Sequence, residues 1–140
     1  MIQFIDDNFV PVKIHIKEQP ETFKRFGAQW TPTLVALDPD GTERYRFEGY
    51  LPPEEFLAQL QLALAKSAFA REKWKESEQR YRQIVAGYPK TDTASEALYW
   101  AGVSKYKVGG DASALAETAR EFQKKYPESV WAKKASVWAA

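Results

Sequence analysis

The sequence predicts an α/β segment followed by an array of α-helices. Two observations carry this reading. The first part of the chain holds short alternating or wholly apolar runs bounded by Pro, Gly and Asp. From Phe56 onward, apolar residues fall at helical spacing, and several recur at a fixed offset of 38 positions. The 140 residues suit one domain or two small ones, and a 44% hydrophobic, 28% charged composition is ordinary for a globular chain.

In chain order, Ile2, Ile5 and Phe9 share one helical face ahead of Val10-Pro11, which reads as the last turns of a helix whose beginning is absent. Val12, Ile14 and Ile16 alternate with Lys13, His15 and Lys17, the pattern of a strand with one apolar face. Glu21 to Phe26 forms a short helix ended by Gly27. Thr33 to Leu37 is an apolar strand between Pro32 and Pro39. Asp38-Pro39-Asp40-Gly41 carries turn chemistry, because proline sets φ early and glycine accepts positive φ late. Glu43 to Phe47 returns as the second hairpin strand. Pro52-Pro53-Glu54-Glu55 starts a helix, with proline in the first turn and carboxylates at the positive dipole end.

That helix, residues 54–70, places Phe56, Leu57, Leu60, Leu62, Leu64 and Phe69 on several sides, so it is expected to be buried on several sides. Trp74, Ser77, Tyr81, Ile84, Val85 and Tyr88 form a single face of the next helix. Ala94 to Val108 is a third, stopped by Gly109-Gly110. Leu115, Ala119, Phe122 and Tyr126 stripe a fourth, and Val130 to Trp138 begins a last one. Tyr88-Pro89 recurs as Tyr126-Pro127. Arg82, Thr91, Ala94, Ala97 and Trp100 are matched at the same offset by Arg120, Ser129, Ala132, Ala135 and Trp138. A period of this length made of helix pairs signals a helical solenoid.

Composition excludes several chemistries. The chain has no cysteine, so it forms no disulfide, thiolate metal site or dithiol couple of its own. Net charge is +1, with both signs interspersed; Lys124, Lys125, Lys133 and Lys134 read as a solvated helix face, and no nucleic-acid stripe is present. No apolar run reaches the length of a membrane span. Met1 to Asp7 lacks the basic start and apolar core of a signal peptide, so a cytoplasmic chain is expected, or a periplasmic one if a signal sequence lies upstream. His15, the single histidine, reads as a solvated or partly packed ring. Asp38 and Asp40 lack the downstream ligands of a calcium loop and read as turn residues. Glu54 and Glu55 read as dipole partners, and no histidine stands in a pattern that activates a Ser or Thr. No catalytic residue, metal ligand or cofactor is assigned.

Gln29-Trp30-Thr31-Pro32, the apolar strand after it and the Asp-Pro-Asp-Gly turn together resemble the second half of a thioredoxin domain. The resemblance implies a cis proline at Pro32 and a backbone at Thr31 that pairs with an extended peptide, so Trp30, Thr31 and Pro32 become substrate-binding candidates. The helical part resembles tetratricopeptide repeats. Trp74, Ser77, Tyr81, Ile84 and Pro89 fit second-helix positions, and Ala101-Gly102 fits the close helix crossing. The Tyr-Pro-x-Ser/Thr linker resembles the repeats of bacterial envelope-assembly and Tol-Pal accessory proteins. Lys105 stands where that family often carries an aromatic, with Tyr106 beside it. Tyr99 and Lys105, off the matched core positions, are the partner-binding candidates.

The fold class is therefore α/β plus α: a partial thioredoxin-like fold of order βαββα over residues 1–66, then a tetratricopeptide-like solenoid over 56–140. The helix 54–70 serves both, which implies a rigid junction. The strand that would lead into Cys-x-x-Cys, between Val12–Ile16 and Thr33–Leu37, is absent. Strands sit about 4.8 Å apart, and each buried unpaired backbone group costs about 1–3 kcal/mol. Either the two strands pair directly, or a second chain covers the edge as a homodimer. The expected function is a non-catalytic module binding a protein or peptide partner. The alternatives are a thiol-disulfide oxidoreductase whose catalytic segment lies upstream of Met1, and a purely structural scaffold.

Overall fold

A computed structural model describes residues 1–140. In order it holds α1 (Ile2–Asn8), α2 (Pro20–Arg25), β1 (Thr33–Leu37), β2 (Glu43–Glu48), α3 (Pro53–Ala70), α4 (Trp74–Gly87), α5 (Asp92–Gly109), α6 (Ser113–Lys125) and α7 (Val130–Ala135). A 3-10 turn over Ser136–Ala139 follows α7. No helix is long and apolar enough to cross a membrane.

The strand expected over Val12–Ile16 does not form, and the βαββα order becomes ααββα. The chain instead turns at its end: the His15 carbonyl accepts from the amides of Glu18 at 3.1 Å and Gln19 at 2.8 Å. Val12 is 76% exposed and Ile16 44%. The physical reason is the missing neighbour. A strand needs a ladder partner for its amides and carbonyls, and the two-stranded sheet offers this segment none. The direct pairing of the segment with β1 does not occur either; the sheet has two strands only.

β1 and β2 pair antiparallel, with Thr33 opposite Glu48 and Val35 opposite Arg46, and the register shifts between Ala36 and Leu37. The turn closes as its residues dictate. The Asp38 amide donates to the Thr42 carbonyl at 2.8 Å, Gly41 takes φ +87°, and the Asp40 carboxylate accepts from the Thr42 amide at 2.9 Å. A two-stranded hairpin is marginal alone. Here β2 lies on α3, and the rings of Phe47 and Phe56 meet edge to face at 5.8 Å.

The helices stack in antiparallel neighbours, α3 on α4, α4 on α5, and α5 on α6. Their shared core includes Leu62, Tyr81, Ile84, Leu98 and Phe122, all essentially solvent-free. Small residues set the closest approach. A Cβ on Gly102 would sit 2.7 Å from Cγ2 and 2.8 Å from Cβ of Thr118, so only glycine lets α5 and α6 cross there. Ser77 and Ser104, both buried, lie with their hydroxyls 2.9 Å apart, and the carbonyls of Trp74 and Trp100 accept from them at 3.0 and 2.8 Å.

The 38-residue repeat has a structural cause. Thr91 and Ser129 each cap the helix they precede, accepting from Ala94 N at 3.2 Å and Ala132 N at 3.0 Å. The two tyrosines of the linkers reach back into the preceding unit. The Tyr88 hydroxyl accepts from Gln61 Nε2 at 3.0 Å, and the Tyr126 hydroxyl donates to the Pro89 carbonyl at 2.9 Å.

Candidate interaction surfaces

The first candidate is the turn before β1. The Thr31-Pro32 peptide bond is cis. The Thr33 hydroxyl donates to the Trp30 carbonyl at 2.6 Å, and the Gly49 amide to the Pro32 carbonyl at 2.8 Å, so the turn is tied to itself and to the residue that follows β2. Trp30 is 67% exposed. Because Pro32 bonds across to Gly49, the alternation of an antiparallel ladder turns the backbone groups of Thr33 and Val35 away from β2, toward the open edge. Thr31 and the outward-facing backbone groups of Thr33 and Val35 are thus free on that side, while Pro32, with no amide and its carbonyl bonded to Gly49, offers none. No thiol stands near it, since the chain has none.

The hairpin is fixed to the helices by a polar cluster that the sequence did not point to. Asp38, only 7% exposed, accepts from Arg44 Nε at 2.5 Å and Ser67 Oγ at 2.6 Å, with Arg71 Nη2 at 3.1 Å. The Ser67 hydroxyl, against the opposing cost of burial and with help from the two guanidinium groups, holds the Asp38 carboxyl below the ordinary carboxylate range. What reads in sequence as a turn residue is therefore the pin between β1 and α3. No sequence signal pairs Asp38 with Ser67 and Arg71; that needs the hairpin to be laid on the helix.

A second cluster joins hairpin to solenoid. The Tyr45 hydroxyl donates to Gln59 Oε1, and Gln59 Nε2 donates to Thr93 Oγ1 at 2.8 Å. The Thr93 hydroxyl in turn donates to Glu55, whose carboxylate also accepts from the amides of Asp92 and Thr93 at 3.0 Å each. Glu55 thus serves the N-terminus of α5 as well as standing in the first turn of α3. Burial, with Glu96 nearby, pushes the Tyr45 phenol up to about 12.

The third candidate is an aromatic strip built from α3, the start of α4, α5, α7 and the turn after it. Phe69 meets Trp74 at 4.9 Å and Trp100 at 5.3 Å between ring centroids. Tyr99 meets Trp100 at 5.4 Å, Trp131 at 5.2 Å, and stacks on Trp138 at 4.6 Å. All of these rings are half-buried. Tyr99, read from sequence as lying off the matched core positions, is thus held by three tryptophans and only partly buried. Lys105 lies exposed on α5 and pairs with Glu117 at 2.6 Å, away from Tyr99's ring contacts. The structure does not bring Tyr99 and Lys105 into one contact network. The repeat offset matches Trp100 with Trp138, but nothing in that match says that Tyr99 lies against both. One buried side-chain donor in the molecule has no acceptor, Trp100 Nε1, in the middle of this strip.

No three His, Cys, Asp or Glu side chains converge as a metal site would require. The acidic turn residues are otherwise engaged: Asp38 by its cationic and hydroxyl partners, Asp40 by the Thr42 amide.

Comparison with known families agrees with this geometry. A thioredoxin-like domain family matches residues 2–64, which run from α1 into α3. A tetratricopeptide repeat family matches residues 96–129, which cover most of α5 and all of α6. No curated protein and no solved structure matches the chain. The chain carries a thioredoxin-like domain followed by a tetratricopeptide repeat, without the cysteines of a redox site.

Proposed function

We propose that this chain is a non-catalytic protein-interaction module, in which the thioredoxin-like part offers a peptide-facing turn and the repeats offer a partner-facing surface. The observation that carries the reading is the exposed Trp30-Thr31-Pro32 turn beside an unpaired strand edge, in a chain with no thiol to do chemistry there. Trp30, Thr31 and Pro32 receive an extended peptide. Tyr99 and Lys105 belong to the surface that meets a protein partner. The units run over residues 1–66 and 56–140 and share the helix 54–70. The Tyr45–Gln59 and Lys66–Glu96 contacts support this division, because they join that helix to the hairpin on one side and to α5 on the other.

The open edge of β1, from Thr33 onward, is covered by a second copy of the chain, which leaves the Trp30-Thr31-Pro32 turn to the peptide. Two β1 strands running antiparallel give a four-stranded sheet with the same patch on both partners, the arrangement that two-fold dimers use. Light scattering at about 50 µM is expected to give twice the chain mass. A monomer at that concentration with an intact hairpin overturns the dimer. The module itself is tested by affinity capture with paired variants. A partner held by the parent chain is expected to be lost with Trp30→Ala or Lys105→Glu at unchanged melting temperature. Capture that gives the same proteins with both variants, or none, removes the reading.

A second reading rests on the resemblance of the same turn to thioredoxins: a thiol-disulfide oxidoreductase whose catalytic segment lies upstream of Met1. An in-frame Cys-x-x-Cys codon pair upstream of the Met1 codon supports it, and its absence removes it.

A further inference from the structure

The aromatic strip has a charge pattern that narrows the chemistry of its partner, and this step rests on the proposed interaction role. Three ammonium groups stand within cation–π reach of its rings. Lys107 Nζ lies 5.7 Å from the Trp74 centroid, Lys66 Nζ 5.6 Å from Trp100, and Lys134 Nζ 4.0 Å from Trp131. Lys66 is neutralised by Glu96 at 2.8 Å. Lys107 and Lys134 make no ion pair. The strip is therefore a run of half-buried rings with Lys107 unpaired at its Trp74 end, where Glu72, Lys73, Lys75 and Glu76 also stand, and Lys134 unpaired at its Trp131 end. Near its middle the Trp100 indole N–H lacks an acceptor.

We propose that this strip docks an extended acidic peptide segment in which carboxylates alternate with aromatic or proline residues. Each part of that chemistry answers something on the surface. Rings and prolines pack on the parts of Tyr99, Trp131 and Trp138 that remain accessible, where an apolar contact excludes water from surface that is already half-desolvated. The carboxylates meet Lys107 and Lys134, which rest on the Trp74 and Trp131 rings and have no carboxylate partner to give up. A basic peptide would face the same two ammonium groups with like charge, so the pattern rejects it. A neutral apolar peptide gains the ring contacts alone and leaves both lysines uncompensated.

The test uses the full chain and two fluorescein-labelled probe peptides. One alternates glutamate with phenylalanine and proline; the other carries lysine at every glutamate position. Fluorescence anisotropy is expected to show the acidic probe binding at least about tenfold more tightly than the basic one, with the difference shrinking as salt rises. Joint Lys107→Glu and Lys134→Glu substitution is expected to weaken the acidic probe about tenfold and to bring the two probes together. Because neither lysine is ion-paired, the melting temperature stays within a few degrees. The joint Lys107→Gln and Lys134→Gln variant, expected midway in affinity, gives the same readout should charge reversal disturb the fold. Equal binding of the two probes, or an acidic-probe affinity untouched by both variants, overturns the proposal. A natural partner that is still retained when the probes do not discriminate separates this failure from failure of the interaction role itself.

Discussion

The segment before Pro53 and the helical array after it place their apolar side chains in opposite ways. Of the 27 buried residues only Ala36 and Asp38 precede Pro53, whereas eight of the twelve exposed large hydrophobic side chains do. Both regions carry apolar side chains in regular patterns; the difference in burial is in what each element finds to lie against. In the helical array every helix has a neighbour, and burial follows from stacking, as in any repeat protein. In the first region the alternating segment Val12–Ile16 and the outer side of β1 have no strand to pair with. Their apolar faces stay open. The hairpin persists because it leans on α3, through Phe47, Tyr45 and Asp38.

The contrast can be broken most forcefully in the helical core. Phe122→Ala removes a ring with no solvent contact from the shared core and is expected to cost about 3–5 kcal/mol. Denaturant unfolding followed by far-UV circular dichroism checks it; a loss below 1 kcal/mol would mean that the array is far looser than its burial implies.

Next in size is the helix crossing. Gly102→Ala drives a methyl into Thr118 and is expected to cost about 1–3 kcal/mol, with partial recovery on adding Thr118→Ala. A neutral Gly102→Ala would show that α5 and α6 can separate without loss, and would place the array nearer to the first region in rigidity.

The pin between the regions comes third. Asp38→Asn removes the charge that Arg44 and Arg71 face, but both arginines stay partly solvated, so about 1–2 kcal/mol is expected. The loss should appear first as faster amide exchange at Gly41, whose N–H bonds the Asp38 carbonyl, while Leu98 and Ile84 amides stay protected. Acid should produce the same effect. The folded carboxyl is held below its unfolded value, so its stabilisation is complete above the unfolded pKa and is lost as pH falls through the folded one. Gly41 exchange, corrected for intrinsic rate, should therefore rise below about pH 4 in the parent chain and show no such step in Asp38→Asn.

The smallest effect sharpens the comparison from the other side. Val10 is 91% exposed and Val12 76%, so Val10→Thr and Val12→Thr should each change the stability of the isolated monomer by less than about 0.5 kcal/mol. A loss of more than 1 kcal/mol in a monomer by light scattering would show that this segment is covered after all.

Much of the molecule was legible in the sequence because the signals were local. The Asp-Pro-Asp-Gly turn, the Pro-Pro-Glu-Glu helix start and the Tyr-Pro-x-Ser/Thr linker act through the backbone within a few residues, and each sits where those residues put it. The strand over Val12–Ile16 was misread because alternation reports what a strand would bury, not whether a partner exists to bury it. Tyr99 was legible as lying off the repeat pattern, but not as stacked on Trp138, since that contact is made between α5 and the turn after α7.

By itself the sequence determined the helices and turns, the hairpin, the repeat and the absence of thiol chemistry, because propensity, capping and composition act along the chain. The tertiary structure alone decided which apolar faces are covered, that Asp38 is a buried pin rather than a turn residue, and that six rings line up with two unpaired lysines. Those facts depend on distances between elements that are remote in sequence. Burial and pairing of this kind exist only once the hairpin, α3 and the later helices have been laid against one another.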